Sequence, residues 1–186
     1  LPEKGSISGK LTAGRFEIDG SVSSQFITGL MLALPLLDGD SEVVLTSALN
    51  SKPYVDITLG VLCDFVCDIS QTESGYFIKG NRKLKPFSGS VEGDYSQAAF
   101  FRVANALGSE LEINGLNKNS LQGDKIIEDI CESYTAGGCK PFDIDCSDIP
   151  DLVPILTVLA CFCNGKSRLT NVARLRFKES DRLAVT

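Results

Sequence analysis

The chain has 186 residues, 43% of them apolar, and its 24 acids against 18 cations give a formal net charge of −6. That much apolar material supplies one ordinary core or two small ones, and the acidic balance argues against nucleic acid as a partner. No histidine is present, which removes Ser-His-Asp and Cys-His catalysis from this chain and leaves proton transfer to carboxylates and lysines.

Pro35 and Asp38 interrupt the longest apolar run before it reaches the roughly 18 residues of a membrane span. No signal peptide opens the chain, and a soluble, cytoplasmic protein is expected. The seven cysteines, Cys63, Cys67, Cys131, Cys139, Cys146, Cys161 and Cys163, are odd in number and lie mostly among apolar residues. That suits a reducing cytosol better than a disulfide framework. Cys63 and Cys67 resemble a metal pair only superficially, since no CxxC occurs; they are expected as small core residues, with no metal. The sequence opens at Leu1 without a cap and stops at "SDRLAVT" within a predicted helix, which reads as a piece of a longer protein.

Three segments in chain order share one grammar, an apolar-acid pair, a small polar turn and an apolar helix: "IDGSVSSQFITGLMLA" (18–33), "VEGDYSQAAFFRVANA" (91–106) and "IDCSDIPDLVPILTVLA" (144–160). Asp19, Glu92 and Asp145 mark the same place in each. A short strand is predicted after each helix, at "EVVLT", "ELEING" and "SRLTNV", followed by a second helix opening near "SKPYVD", "NSLQGD" and "RFKESDRLAV". The first unit continues into a strand, a turn at Gly75 and a second strand; the second unit runs into "PFDID" without such a hairpin. The unit is therefore β-α-β-α-β-β, and its repetition predicts an α/β architecture (α+β by some schemes) built by duplication. Residues 80–90, "GNRKLKPFSGS", read as a linker. The helices are apolar nearly all round, which predicts burial on every side and leaves polar work to their N-termini.

Four polar clusters fall at those N-termini. Ser23, Ser24 and Gln25 precede the first helix, where serine is a preferred cap and where hydroxyls beside free amides equally make an anion socket. In "SKPYVD", Pro53 suits the first helical position and Ser51 the cap, so Lys52 and Tyr54 exceed what capping requires. In "SDIPDL", Ser147 or Asp148 is the expected cap; Asp151, in the first turn, is either a dipole-favoured acid or a candidate base. From Lys166 to Arg182 there are six cations against two acids in an otherwise acidic chain. A basic run is usually a solvated face, and Glu179 with Arg182 can simply pair; read functionally, Arg182 is a fork for an anion, Lys178 a point charge and Glu179 a proton carrier.

"DGSVSSQF", "SKPYVDIT", "EGDYSQAAFF", "NSLQGD", "SDIPDLVPIL" and "RLRFKESDRL", in this order, resemble the middle portion of the 5-enolpyruvylshikimate-3-phosphate synthase family. The resemblance implies two lobes of βαβαββ units, an inside-out α/β barrel present here in part. Residues 1–88 would be the last unit of one lobe. Residues 89–186 would be two units of the other, the first lacking its final hairpin and the last incomplete. It implies transfer of the enolpyruvyl group of phosphoenolpyruvate to the 5-hydroxyl of shikimate 3-phosphate, a step of aromatic amino acid biosynthesis, with no cofactor, no metal and a monomeric full-length enzyme.

Carried over by motif, Ser23, Ser24 and Gln25 match the shikimate-phosphate contact, with Gln25 also near phosphoenolpyruvate, and Ser51 and Tyr54 match a second contact. Asp151 matches the acid on the shikimate hydroxyls and the expected base. Lys178 matches a substrate-binding lysine, Glu179 a proton-transfer residue and Arg182 an arginine on phosphoenolpyruvate. Arg174 stands where many members have asparagine. Motifs of the family outside this chain are missing from it, so the chain alone is expected to be inactive. The competing readings are UDP-N-acetylglucosamine enolpyruvyl transfer, which shares fold and chemistry, and a non-catalytic binding fragment.

Overall fold

The computed structural model describes residues 8–65 and 67–186. Strand β1 (Arg15–Ile18) leads into helix α1 (Ser24–Ala33), and strand β2 (Ser41–Leu45) returns parallel to β1, with Arg15 opposite Glu42 and Ile18 opposite Leu45. Parallel neighbours need a crossover, and α1 supplies it. Helix α2 (Lys52–Asp64) then leads to the hairpin of β3 (Ile69–Thr72) and β4 (Gly75–Ile78), and β4 pairs antiparallel with β2. The order β1-β2-β4-β3 completes one βαβαββ unit. Gly75 is required at the hairpin because a Cβ there would run into the Val43 carbonyl of β2.

Burial follows the periods of these elements. On β4, Tyr76 and Ile78 are buried while Phe77 between them is exposed, as in a sheet with one covered face. Ile27 and Met31, one turn apart on α1, meet Val43, Tyr76 and Ile78 of the sheet and Val55 and Leu62 of α2 in one core.

The remaining elements build a second core. Helices α3 (Tyr95–Ala106), α4 (Ile127–Ala136) and α5 (Val153–Cys161) surround Ala99, Val103, Ile127, Leu152, Leu156 and Leu159. Strands β5 (Asp143–Asp145) and β6 (Arg168–Thr170) form a parallel pair, and a four-residue α6 (Arg182–Val185) follows. Asp94 caps α3 by accepting from the Ser96 and Gln97 amides. Among the described residues, no helix is long and apolar enough to cross a membrane.

Several expectations need correction. No strand forms at "ELEING": the Asn105 amide instead brackets Leu111, donating to its carbonyl and accepting from its N–H at 2.8 Å each, and Gly93 N–H donates to the Gly115 carbonyl. Alternating residues favour a strand only where a neighbour offers a continuous ladder, and Val91 on the facing segment is wholly exposed. The helices are not buried all round. Phe26 and Leu32 on α1 and Val158 on α5 are exposed, because each helix covers a core on one side only. Cys63 is exposed as well, unlike the buried Cys67. The helix predicted through "RFKESDRLAV" is broken into a 3₁₀ turn (Ala173–Phe177) and α6, since the Asp181 carboxylate accepts from the Ala184 amide and restarts the helix at Arg182.

The acids that marked the repeat have a common structural duty. Asp19 accepts from Ser47, Glu92 from Ser120 and Asp145 from Asn171, partners 28, 28 and 26 residues further along, where the next strand or its equivalent ends. Asp19 and Asp145 also accept from the amides of Ser21 and Ser147. Donation, from Ser21, Ser120 and the Ser147 amide foremost, holds all three carboxyls below their ordinary range. Each acid thus clasps the two segments from which its unit's helices depart.

Candidate active site

The N-terminus of α2 and the turn ahead of α5 meet through residues far apart in sequence. Ser51 occupies the cap position of α2 in a left-handed conformation (φ 56°, ψ 39°), and its side chain makes no cap bond. Its Oγ instead accepts from Arg174 at 2.6 Å, and the same guanidinium donates to the Ser147 carbonyl. The Lys52 amide donates to the Asp148 carboxylate at 3.3 Å. Asp148 therefore serves α2 across the junction, and the turn that opens α5 has no side-chain cap. Both cap assignments read from the sequence fail for one reason: the side chains found partners across the junction.

Asp151 lies at the centre. Pro150 starts a 3₁₀ turn (Pro150–Leu152) that sets Asp151 facing α2. The Tyr54 hydroxyl donates to its Oδ2 at 2.9 Å and the Arg182 guanidinium to its Oδ1 at 2.6 Å, while Arg182 also reaches Glu179 at 2.9 Å. Burial pushes the Asp151 carboxyl up, but donation from Tyr54 and Arg182 and the charges of Lys178 and Arg182 outweigh it and hold the acid ionised, below its ordinary range. Burial first, then the charges of Asp124 and Asp151, push the Tyr54 phenol well above its usual range, so it stays a donor. Burial draws the Arg174 guanidinium down, and the bond to Asp151 raises that of Arg182.

The structure therefore brings together Ser51, Tyr54, Asp151, Glu179 and Arg182. Lys178 is exposed, with its charge acting on Asp151. Ser23, Ser24 and Gln25 stand apart at the start of α1, where the Ser23 hydroxyl accepts from the Gln25 amide at 3.3 Å as a cap does. They belong to the same end of the unit, since Asn50 bonds back to Gly20 and Ser21. Among the described residues, no group of three or more histidines, cysteines or acids is arranged to hold a metal.

A cavity of about 1160 Å³ opens beside the junction, lined by Tyr54, Asp151 and Arg182 and, beyond them, by Ser96, Gln97 and Asp124. Sequence reasoning missed these last three and left Arg174 without a partner. The signal lay in the repeat: "YSQ" at 95–97 echoes "SSQ" at 23–25, and the interval from Asp19 to Ser51 equals that from Glu92 to Asp124.

The EPSP synthase (3-phosphoshikimate 1-carboxyvinyltransferase) family matches this sequence over residues 4–186. The chain belongs to the EPSP synthase family. It is 44% identical over 194 residues to a 3-phosphoshikimate 1-carboxyvinyltransferase of Clostridium botulinum (strain Eklund 17B / Type B), a match covering 96% of this chain and 45% of that protein. It is also 44% identical over 191 residues to the protein of the same description from Methanocaldococcus jannaschii, a match covering 95% of this chain and 44% of that protein. The chain thus spans slightly less than half the length of these relatives. An EPSP synthase structure from Acinetobacter baumannii superposes with a TM-score of 0.69 at 22% identity, over 95% of this chain and 44% of that one. That likeness supports the mixed α/β fold.

Proposed function

We propose that this chain, within a protein of its relatives' full length, takes part in transfer of the enolpyruvyl group of phosphoenolpyruvate to the 5-hydroxyl of shikimate 3-phosphate, releasing phosphate. The supporting observation is the convergence of Tyr54, Asp151 and Arg182 on one cavity, with Glu179 bonded to Arg182 beside it, in a member of this family. Asp151 takes the hydroxyl proton and Glu179 carries the proton exchanged with the phosphoenolpyruvate methylene. Protonating that methylene builds positive charge at the carbon the hydroxyl attacks, so one base and one acid must act in a site crowded with anions. Lys178 and Arg182 hold those anions, and Ser23, Ser24, Gln25, Ser51 and Tyr54 contact shikimate 3-phosphate.

In the present arrangement both oxygens of Asp151 are occupied. An incoming carboxylate or phosphate competes for Arg182, and drawing that cation away returns proton affinity to Asp151 as the hydroxyl arrives. The reading is tested by phosphate release in the full-length protein, which should require both substrates together. The isolated chain should release none above background. Turnover by the chain alone overturns the second expectation, and no release with shikimate 3-phosphate by the full-length protein overturns the function.

A further inference from the structure

We propose that Asp124 is a positioning residue of this site, tied through Ser96 to the first turn of α3 and setting the negative charge that faces Asp151. Its kinetic consequence rests on the enolpyruvyl-transfer reading; its ionisation does not.

In the repeat, Asp124 occupies the place that Ser51 holds in the first unit. Ser51 receives the Arg174 guanidinium there. Asp124 receives the Ser96 hydroxyl on Oδ2, and its Oδ1 has no hydrogen-bond partner among the described residues. The residue is only 3% exposed. The backbone fixes it: a Cβ on the preceding Gly123 would lie 2.9 Å from Pro53 Cγ and 3.2 Å from the Asp148 carbonyl, so this turn is wedged between the start of α2 and the turn carrying Asp151.

The groups that face Asp124 come from three sides: Tyr54 of α2, Ser96 and Asp94 at the start of α3, and Asp151 ahead of α5. None is a cation. A carboxylate there is desolvated, half-bonded and repelled by two others. Burial foremost, with Asp151 and Asp94 acting the same way against the Ser96 bond, pushes its carboxyl up to about 6. Below that point Asp124 is a neutral acid; above it, a second negative charge stands near Asp151 and raises Asp151's affinity for a proton.

Two measurements on the full-length protein test this. In substrate-free protein carrying ¹³C-labelled aspartate, the Asp124 carboxyl should titrate with a midpoint near 6, and Asp151→Asn should move that midpoint down by removing a like charge. A midpoint in the ordinary aspartate range, or one that Asp151→Asn leaves in place, overturns the proposal whatever reaction the protein performs. Kinetically, the ratio of kcat/KM for the native protein to that for Asp124→Asn should climb about tenfold between about pH 5 and about pH 8, because only the native residue gains charge. Taking the ratio cancels ionisation of the substrate phosphates. A ratio that stays constant with pH overturns the proposal, since loss of a merely structural contact would lower activity evenly.

Discussion

Asp151→Asn in the full-length protein should lower kcat by about 10²- to 10⁴-fold, the range for removal of a general base. The substitution keeps the shape of the side chain and an oxygen for the Tyr54 hydroxyl, so the junction between α2 and the turn before α5 should stand. What it removes is the carboxylate that holds Arg182 at 2.6 Å. A released Arg182 remains free to bind an anion, so KM for phosphoenolpyruvate should change far less than kcat. Steady-state kinetics beside thermal melting of both proteins give the answer. A kcat within about threefold of the native value would remove Asp151 from proton transfer, and the role would pass to another carboxyl. Asp151→Ala is the poorer probe, because it also removes the oxygen that accepts from the Tyr54 hydroxyl.

Leu156→Ala should cost about 2–5 kcal/mol of stability, through lost transfer free energy and the void left behind. Leu156 is 0% exposed on α5 and packs in the second core with Leu152, Leu159 and residues of α3 and α4. Val158, two residues on, is 45% exposed, and Val158→Ala should stay within about 0.5 kcal/mol of the native protein. Denaturant midpoints of the two variants give the comparison. Equal losses would mean that α5 is not packed as described.

The sequence made some of this legible because the features were local. Strand periods located β2 and the hairpin at Gly75, and the place of Asp151 after Pro150 followed from helix-start chemistry alone. Tyr54 stood out because capping had no use for a phenol. Contacts across the junction were not legible: Arg174 and Ser51 are separated by 123 residues and Tyr54 and Asp151 by 97, and no local rule pairs them. The same distance explains the misassigned caps, since a serine or aspartate at a helix start serves that helix only if nothing nearer competes for it. The absent strand at 110–115 and the exposed faces of Phe26 and Val158 have a related cause. Propensity and apolar pattern describe what a segment can do, and the neighbours that would use it must also be present.

Among the described residues the two cores share no residue, and polar bonds cross the junction between them: Arg174 to Ser51, the Lys52 amide to Asp148, Tyr54 to Asp151. Each such bond contributes on the order of 1 kcal/mol, against several for one large buried side chain. The halves are therefore more firmly built than they are fastened, and denaturation of the ligand-free chain should run in two steps. A ligand gripped from both sides should strengthen the fastening and draw the steps together. On the proposed reading the site is a latch, and its occupancy should set how far the halves behave as one body.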